Sequence, residues 1–489
     1  MVCMFNSKNN CGWINCFVLC YHKLMRKTVL MLLCLLFLCV PVFYIFPEGS
    51  VFEINEPEPR GNFAIRGLIA TGETLFSNLF VMGFNTFVTR EDWGYPTREA
   101  IHKNFTERWK WDDSDGFIVN FYGHPAQGSQ YFVAGRVNQF NFYQSLFFSA
   151  LGSFTWENFF ENHGAAMNDV IVTSLTSMMF GEMLYRLYVE AHAAGFPAPI
   201  SFFFNPMAGL HRLITGWQPP DYGRNMYQLK TYIGMGYPDI HYSALGIDDE
   251  LFSFRGPFAH LGFSLIYGNP FLAEGKIPFR HFELEMSLGM DLGNFVEARL
   301  ISDGYLFSFS PVHTTASMMS TGLSLNWDAI ALGKLQKTDA TINVYSNALN
   351  WTMKSKNLLS QNLSFETKAH AGITFMGAGI YYSPDRERDL AFYGFGLNTK
   401  LFLTLEHARL GKLEADVFGY GLLNYPGTSQ VSGGGIYWLL TDLGYSYQIT
   451  RNLSLGISHA FALERGFFDN QPDTRKHSNT FKFVVAWNW

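Results

Sequence analysis

His281-Phe282-Glu283-Leu284-Glu285-Met286-Ser287-Leu288-Gly289-Met290-Asp291-Leu292 alternates without a break. Successive side chains of an extended strand point to opposite faces, so this stretch has one wholly apolar face and one polar, small or charged face. A soluble sandwich would bury the apolar face on a second sheet. A membrane barrel would turn it to lipid and keep the polar face for the lumen. The rest of the chain decides between the two.

The same device recurs through the second half. Leu261, Phe263, Leu265 and Tyr267 alternate with His260, Gly262, Ser264 and Gly268. Tyr393, Phe395, Leu397, Leu401, Leu403 and Leu405 oppose Gly394, Gly396, Asn398, Lys400, Thr404 and Glu406. Comparable segments begin after Trp217-Gln218-Pro219-Pro220 and run to the end, at 227–235, 295–307, 317–329, 362–376, 412–424, 436–450 and 452–464. The chain finishes Phe481-Lys482-Phe483-Val484-Val485-Ala486-Trp487-Asn488-Trp489, an alternating strand closed by an aromatic residue. So many strands of one parity would need an improbably large second layer in a sandwich. The expectation is a transmembrane antiparallel β-barrel over residues 218–489. About eleven strands are visible; single-chain bacterial barrels have even numbers, so twelve are expected. The missing one is sought in 341–354 or 117–122.

Composition agrees. Only 16 % of the 489 residues are charged, 17 % are aromatic, and there are 45 Gly and 48 Phe. Aromatic girdles and small lumen residues call for this balance. The net charge of -6 is mild, and no basic run suits a nucleic acid. All six cysteines (Cys3, Cys11, Cys16, Cys20, Cys34 and Cys39) lie in the first 39 residues, so neither a disulfide framework nor a zinc site is expected in the body. Thr28–Phe46 is an apolar run of about 19 residues behind Lys23, Arg26 and Lys27, the layout of a signal segment or of an anchoring helix. Met25 is the expected true start. The division expected is 1–49 for this extension, 50–123 for a first helix and linker, 124–217 for a helical block, then the barrel.

Leu68–Val88 has helical spacing with a polar edge at Thr74, Ser77 and Asn78. Two longer helical patterns, 129–161 and 169–194, flank Asn162-His163-Gly164, and a third covers 199–215. Ser145, Ser149, Ser153, Glu157 and Glu161 recur every fourth residue, as do Asp169, Thr173, Ser177 and Gly181. Such stripes of small residues let helix backbones approach closely in apolar surroundings. Asn168 or Asp169 is the expected N-cap of the second helix. Ionisable residues on otherwise apolar helices must meet one another. The candidate polar cluster is therefore His124, Arg136, Glu157, Glu161, Asp169, Glu182 and Arg186. Two readings remain open: ion pairs that fix the block against the barrel, or a polar site where Arg136 and Arg186 hold an anionic group.

The block contains His124-Pro125, Gly128-Ser129, Tyr131-Phe132, Arg136, Ser145, Gly152-Ser153, Trp156-Glu157, Glu161, Asn168-Asp169, Thr173, Gly181-Glu182, Tyr185-Arg186 and the run from Asn205-Pro206 to Gly216. In these residues it is similar to a bacterial family, domain-of-unknown-function family 3943. The resemblance implies an envelope protein with a helical block preceding a barrel, and no chemistry. Where the family has a Thr-Pro-x-Gly-Gly run, this chain reads Thr173-Ser174-Leu175-Thr176-Ser177, which removes a reason for that helix to kink.

The expectation is a barrel protein exported through the periplasm to a bacterial outer membrane, with the helical block as a plug in the lumen or a cap on its periplasmic mouth. Its specific role is an envelope structural or solute/lipid-handling one. The partners expected are outer-membrane lipids and, through the C-terminal strand, the barrel-assembly machinery; no nucleic acid, metal or cofactor is expected. The alternative is a lipid-modifying enzyme acting on phospholipid or on a lipid A acyl chain. It would need a Ser beside a His. His260 and Ser264, or His281 and Ser287, lie roughly 13–20 Å apart along their strands, so only a cross-strand pair such as Ser264 with His281 would serve.

Overall fold

The computed structural model describes residues 59–489 apart from 60, 91–93, 108, 112–118, 163, 245–251, 273–274, 292–293, 334–340, 384–387, 426–432 and 470. The leader and start-site expectations, 1–49, fall outside these residues.

Twelve antiparallel strands close a barrel: β1 (Met226–Ala244), β3 (Phe258–Tyr267), β4 (Phe282–Met290), β5 (Phe295–His313), β6 (Ser317–Gly333), β7 (Thr341–Ser360), β8 (Leu363–Ser383), β9 (Arg388–His407), β10 (Gly411–Asn424), β11 (Gly435–Gln448), β12 (Leu453–Phe468) and β13 (Gln471–Asn488). A short strand, β2 (Phe252–Arg255), only extends the tip of β1. Closure comes from β1 on β13, in register from Lys230↔Asn488 to Ala244↔Thr474. With no free edge, every strand finds two neighbours, as a bilayer requires. The strand missing from the alternation is β7. Residues 119–123 form a π turn instead.

Side-chain parity follows the sequence. On β4, Glu283, Glu285 and Ser287 face inward; the proof is in their partners. Lys354 of β7 and Lys368 of β8 both reach Glu283, at 2.7 and 2.6 Å, and strands that far apart in the ring meet only through the lumen. On the outside, Ile233, Met235, Leu397, Leu443, Ile457 and Phe481 stand exposed. An exposed apolar belt of this kind is what a transmembrane barrel turns to lipid.

The helical block contains α1 (Phe63–Phe84), α2 (Arg98–Thr106), α3 (His124–Val137), α4 (Phe142–Thr155), α5 (Met167–Ala193), α6 (Ala198–Phe204) and α7 (Pro206–Thr215). The pattern over 129–161 is two helices, not one. Gln139 takes a left-handed φ of 63°, and Asn141 then restarts the chain with a capping box shared with Gln144. The pattern at 199–215 is likewise split, because Asn205 caps a new helix with Pro206 in its first turn. The N-cap of α5 is Ala166, with no side-chain cap bond; Asn168 is instead drawn away to the hydroxyl of Tyr393.

The block does not occupy the lumen or its mouth, contrary to the plug or cap expected. It packs on the outer wall. Trp327, Tyr345 and Tyr393 all have outward parity, and all are buried under helices. Phe180 of α5 meets the Trp327 ring edge-on at 5.3 Å, and Phe121 stacks on Tyr345 at 4.1 Å. Thr176 pairs its hydroxyl with that of Tyr345 at 2.7 Å and accepts from Asn347 at 2.6 Å. The reason is polarity: the inward faces of the strands carry charges that satisfy one another, so the apolar helices have no place among them.

Small residues set the helix spacing. A Cβ at Gly128 of α3 would lie 2.6 Å from Thr173 Cγ2 and 2.8 Å from Ser177 Cβ of α5, whereas one at Gly72 of α1 would meet nothing within 4 Å. The α5 stripe thus receives α3, and α4 touches its start, where the Ser153 hydroxyl donates to the Asp169 carbonyl at 3.3 Å. Gly128→Leu should cost about 1–3 kcal/mol by overpacking, read as faster proteolysis of the block, while Gly72→Leu should leave the digestion rate unchanged.

Candidate functional site

The seven polar residues expected to form one cluster are all buried, but the structure separates them into two groups. The first is an Arg–Glu–Arg arrangement at the α3–α5 contact. Arg136 of α3 and Arg186 of α5 approach the same Glu182 carboxylate, Nε to oxygen at 2.8 and 2.9 Å. Glu182 and Arg186 lie one turn apart on α5, which puts them on one face. One further nitrogen of each guanidinium is tied to backbone: Arg136 Nη1 donates to the Phe140 carbonyl at 2.9 Å, and Arg186 Nη2 to the Pro278 carbonyl at 2.8 Å. Tyr185 and Tyr222 lie under the two guanidinium groups, 4.9 and 5.7 Å from ring centre to Cζ. Pro278 belongs to the β3–β4 connection, so Arg186 pins the block to the barrel.

The second group is acidic. Glu157 has Asp169, Glu161 and His124 as its charged neighbours. Its Oε2 accepts from the Ala166 amide at 2.9 Å, and Glu161 Oε2 accepts from the Trp156 indole at 3.1 Å. His124 opens α3, with Nε2 3.8 Å from Asp169 Oδ1. Among the described residues, no three His, Cys, Asp or Glu are arranged to hold a metal ion. The two groups differ in what they tolerate: Glu182 balances two cations, whereas Glu157 stands among like charges and its main service is to accept one amide hydrogen bond.

A third polar system, inside the barrel, was visible in the sequence only as inward parity. Lys368 bridges Glu283 and Asp303 at 2.6 and 3.0 Å. Lys400 of β9 meets Asp328 of β6 at 2.8 Å, and Tyr420 donates to the other Asp328 oxygen at 3.0 Å. Lys482 of β13 meets Glu297 of β5 at 2.7 Å, and Lys476 meets Glu464 at 3.0 Å. Toward the end of the barrel with the longer connections, Ile330, Val344, Phe392, Leu422, Trp438 and Phe468 form an apolar layer within the lumen. Among the described residues, a cavity of about 30 Å³ remains, bordered by Glu297, Arg299, Phe418, Asp442 and Lys482. That is room for a water or two.

Among the described residues, the Ser–His pairs considered for an esterase are not hydrogen-bonded to each other. His260 turns to Glu297 at 3.5 Å. His281 donates from Nδ1 toward the Tyr267 and Gly268 carbonyls at 3.0 and 3.1 Å and presents Nε2 to Glu283 at 3.4 Å. Ser264 stands opposite Glu285 and Lys230 in the register, away from His281. His370 fills the lumen beside Thr352 and Asp303, and His459 faces outward on the Phe481 ring.

Two substitution pairs test these assignments. Glu182→Gln should lower folded yield severely by leaving two buried guanidinium groups without their counter-charge, whereas Glu157→Gln, which keeps an oxygen for the Ala166 amide, should be neutral or stabilising. Lys400→Met should cost about 3–5 kcal/mol by stranding Asp328 in the lumen, and Lys400→Met with Asp328→Leu should recover most of it, both read from the urea midpoint of heat-modifiable barrel.

No curated protein matches the chain. Solved structures similar to it include the Pseudomonas putida toluene transporter TodX, 10% identical, covering 57% of this chain and 93% of that one at a TM-score of 0.23. The KdgM porin is 10% identical and covers 52% and 98%, at 0.23. The outer membrane phospholipase A from Escherichia coli is 15% identical and covers 52% and 90%, at 0.24. Residues 108–203 match the model of Domain of unknown function (DUF3943), so the family resemblance lies in the helical block that covers the barrel's outer wall.

Proposed function

We propose that the protein is a sealed barrel of a bacterial outer membrane, an envelope structural or lipid-handling component rather than a channel. The observation that carries this reading is the cross-lumen lattice of ion pairs, with Lys400 and Asp328 about as buried as any core residue. A conducting pore keeps its wall charges solvated and apart. Here they neutralise one another across the space a solute would need.

Support for the membrane comes first from the apolar belt. At the end where β1 begins, the turns β5–β6, β7–β8, β9–β10 and β11–β12 have two to four residues, with the β3–β4 connection (268–281) the exception; at the other end β1–β2, β6–β7 and β10–β11 are longer, while β4–β5, β8–β9 and β12–β13 are short. Short periplasmic turns and longer outer loops are the habit of outer-membrane barrels. The start of β1 and the end of β13 share the short-turn end. With the lumen filled, whatever this protein handles is met on the lipid side of the wall, where the helical block stands. The names of the similar barrels leave both channel and phospholipase as readings to be tested.

The test takes purified full-length chain in planar bilayers and in a phospholipid-hydrolysis assay. The expected result is no stepwise conductance and no fatty-acid release. Discrete conductance steps would overturn the sealed lumen, and release abolished by His281→Ala would establish the enzyme instead.

A further inference from the structure

We propose that the outer face of the helical block is a lipid-contacting surface, with α1 and α4 lying in the hydrocarbon layer beside the barrel and touching bilayer acyl chains. The inference rests on the membrane reading of the barrel and goes beyond it, because a barrel in a bilayer does not oblige its N-terminal helices to enter.

The first observation is that these helices are inside-out. In α4, Ser145, Ser149, Gly152 and Ser153 are buried while Tyr143, Phe147 and Phe154 are exposed. In α1, the buried residues are Ala70, Thr74, Ser77 and Asn78, and Phe63, Leu68, Phe76, Leu79 and Phe80 point away from the protein, Leu68 with 74% of its surface bare. Water would select the reverse arrangement; lipid selects this one, with small and polar residues between helices.

The charges of α1 obey the same rule. It has two, Arg66 and Glu73, and each is turned inward to a partner. Arg66 donates to the Asn138 and Gln139 carbonyls at 3.1 and 2.8 Å. Glu73 accepts from Asn138 at 2.7 Å and meets His211 at 2.6 Å. Asn78 donates to the Gly152 carbonyl at 3.0 Å. Thr74 donates to the Ala70 carbonyl of its own helix at 2.9 Å. Its 22 residues measure about 33 Å at 1.5 Å per residue, against a hydrocarbon core of about 30 Å.

The second observation fixes the level. The wall strands that carry the block are bare farther along the same outward face. On β7, Tyr345 and Asn347 lie under the block, and Leu349, Trp351 and Met353 are exposed. On β9, Tyr393 is covered and Leu397 and Leu401 are not; on β5, Leu300 is covered and Phe307 and Phe309 are not. The block therefore stands within the length of the strands, alongside the belt, and not beyond the barrel's end. Acyl chains that wet Leu397 continue onto the helices.

Nitroxide accessibility tests this on the full chain in phosphatidylethanolamine–phosphatidylglycerol liposomes, with the six cysteines of the first 39 residues changed to Ser. Single labels go on Leu68→Cys, Phe80→Cys and Phe147→Cys, with Ile457→Cys as the belt standard and Glu107→Cys as the exposed standard. The expected result is that the three block sites relax with oxygen at least fivefold more than with a water-soluble nickel chelate, like Ile457. Three block sites that respond to nickel like Glu107, beside an Ile457 that responds to oxygen, would put the block in water and overturn the proposal alone. Block sites shielded from both reagents would mean a protein partner or a second copy covers them, which also overturns it. Nickel access at Ile457 as well would remove the membrane reading of the barrel itself.

Discussion

Cross-lumen charge pairing is the constraint from which the rest of the structure follows. Each strand offers one charged or small face and one apolar face, and the charged faces find partners only if they converge. Glu283 with Lys354 and Lys368, Asp328 with Lys400, and Glu297 with Lys482 tie strands three or four places apart in the ring. A buried pair of this kind gains little over an apolar replacement but loses heavily when halved. Its effect is on specificity: a one-residue slip would turn every carboxylate of a strand to lipid. Convergence inward sends the apolar faces outward, and the helices follow them to the outer wall.

The wall under the block is adapted to being covered. Asn347 and Tyr345 have outward parity, and Asn347 donates to the Tyr345 hydroxyl at 2.6 Å. Thr176 extends this pair by bonding that hydroxyl and accepting from the same amide. Tyr393 accepts from Asn168, and the Ala329 carbonyl accepts from Tyr122 at 2.7 Å. Arg186, held by Glu182, reaches the Pro278 carbonyl. These bonds are few, but in an apolar medium each is costly to leave unmade, so barrel and block stabilise each other's exposed polar groups.

Much of this was legible in the sequence, because a period of two is a local signal. The strict alternation of 281–292 and 391–406 gave strand, parity and barrel together, and the stripe of Thr74, Ser77 and Asn78 marked the buried side of α1. β7 was harder to see, since Asn343 and Asn347 lie on its outward face and Ile342 and Val344 on its inward one, which breaks the alternation, and Asn347 turns out to serve the helix contact. The side of the wall on which the block lies was not legible. A helix with small residues on one face suits a lumen or a lipid-side site equally, and only the three-dimensional pairing of the lumen charges excludes the first. Of the seven polar residues, spacing joins Glu182 to Arg186, but the turn at Gln139 that brings Arg136 to them leaves no periodic trace, and neither does the separate grouping of Glu157 with Asp169, Glu161 and His124.

The account stands or falls on which side of the wall the helices occupy. The most direct measurement is a density map of the full chain in a lipid nanodisc. The structure predicts helical rods between the barrel wall and the nanodisc belt, over β5 to β9, with no backbone density in the lumen. Rods threaded through the barrel, or stacked beneath its short-turn end clear of the lipid, would contradict it.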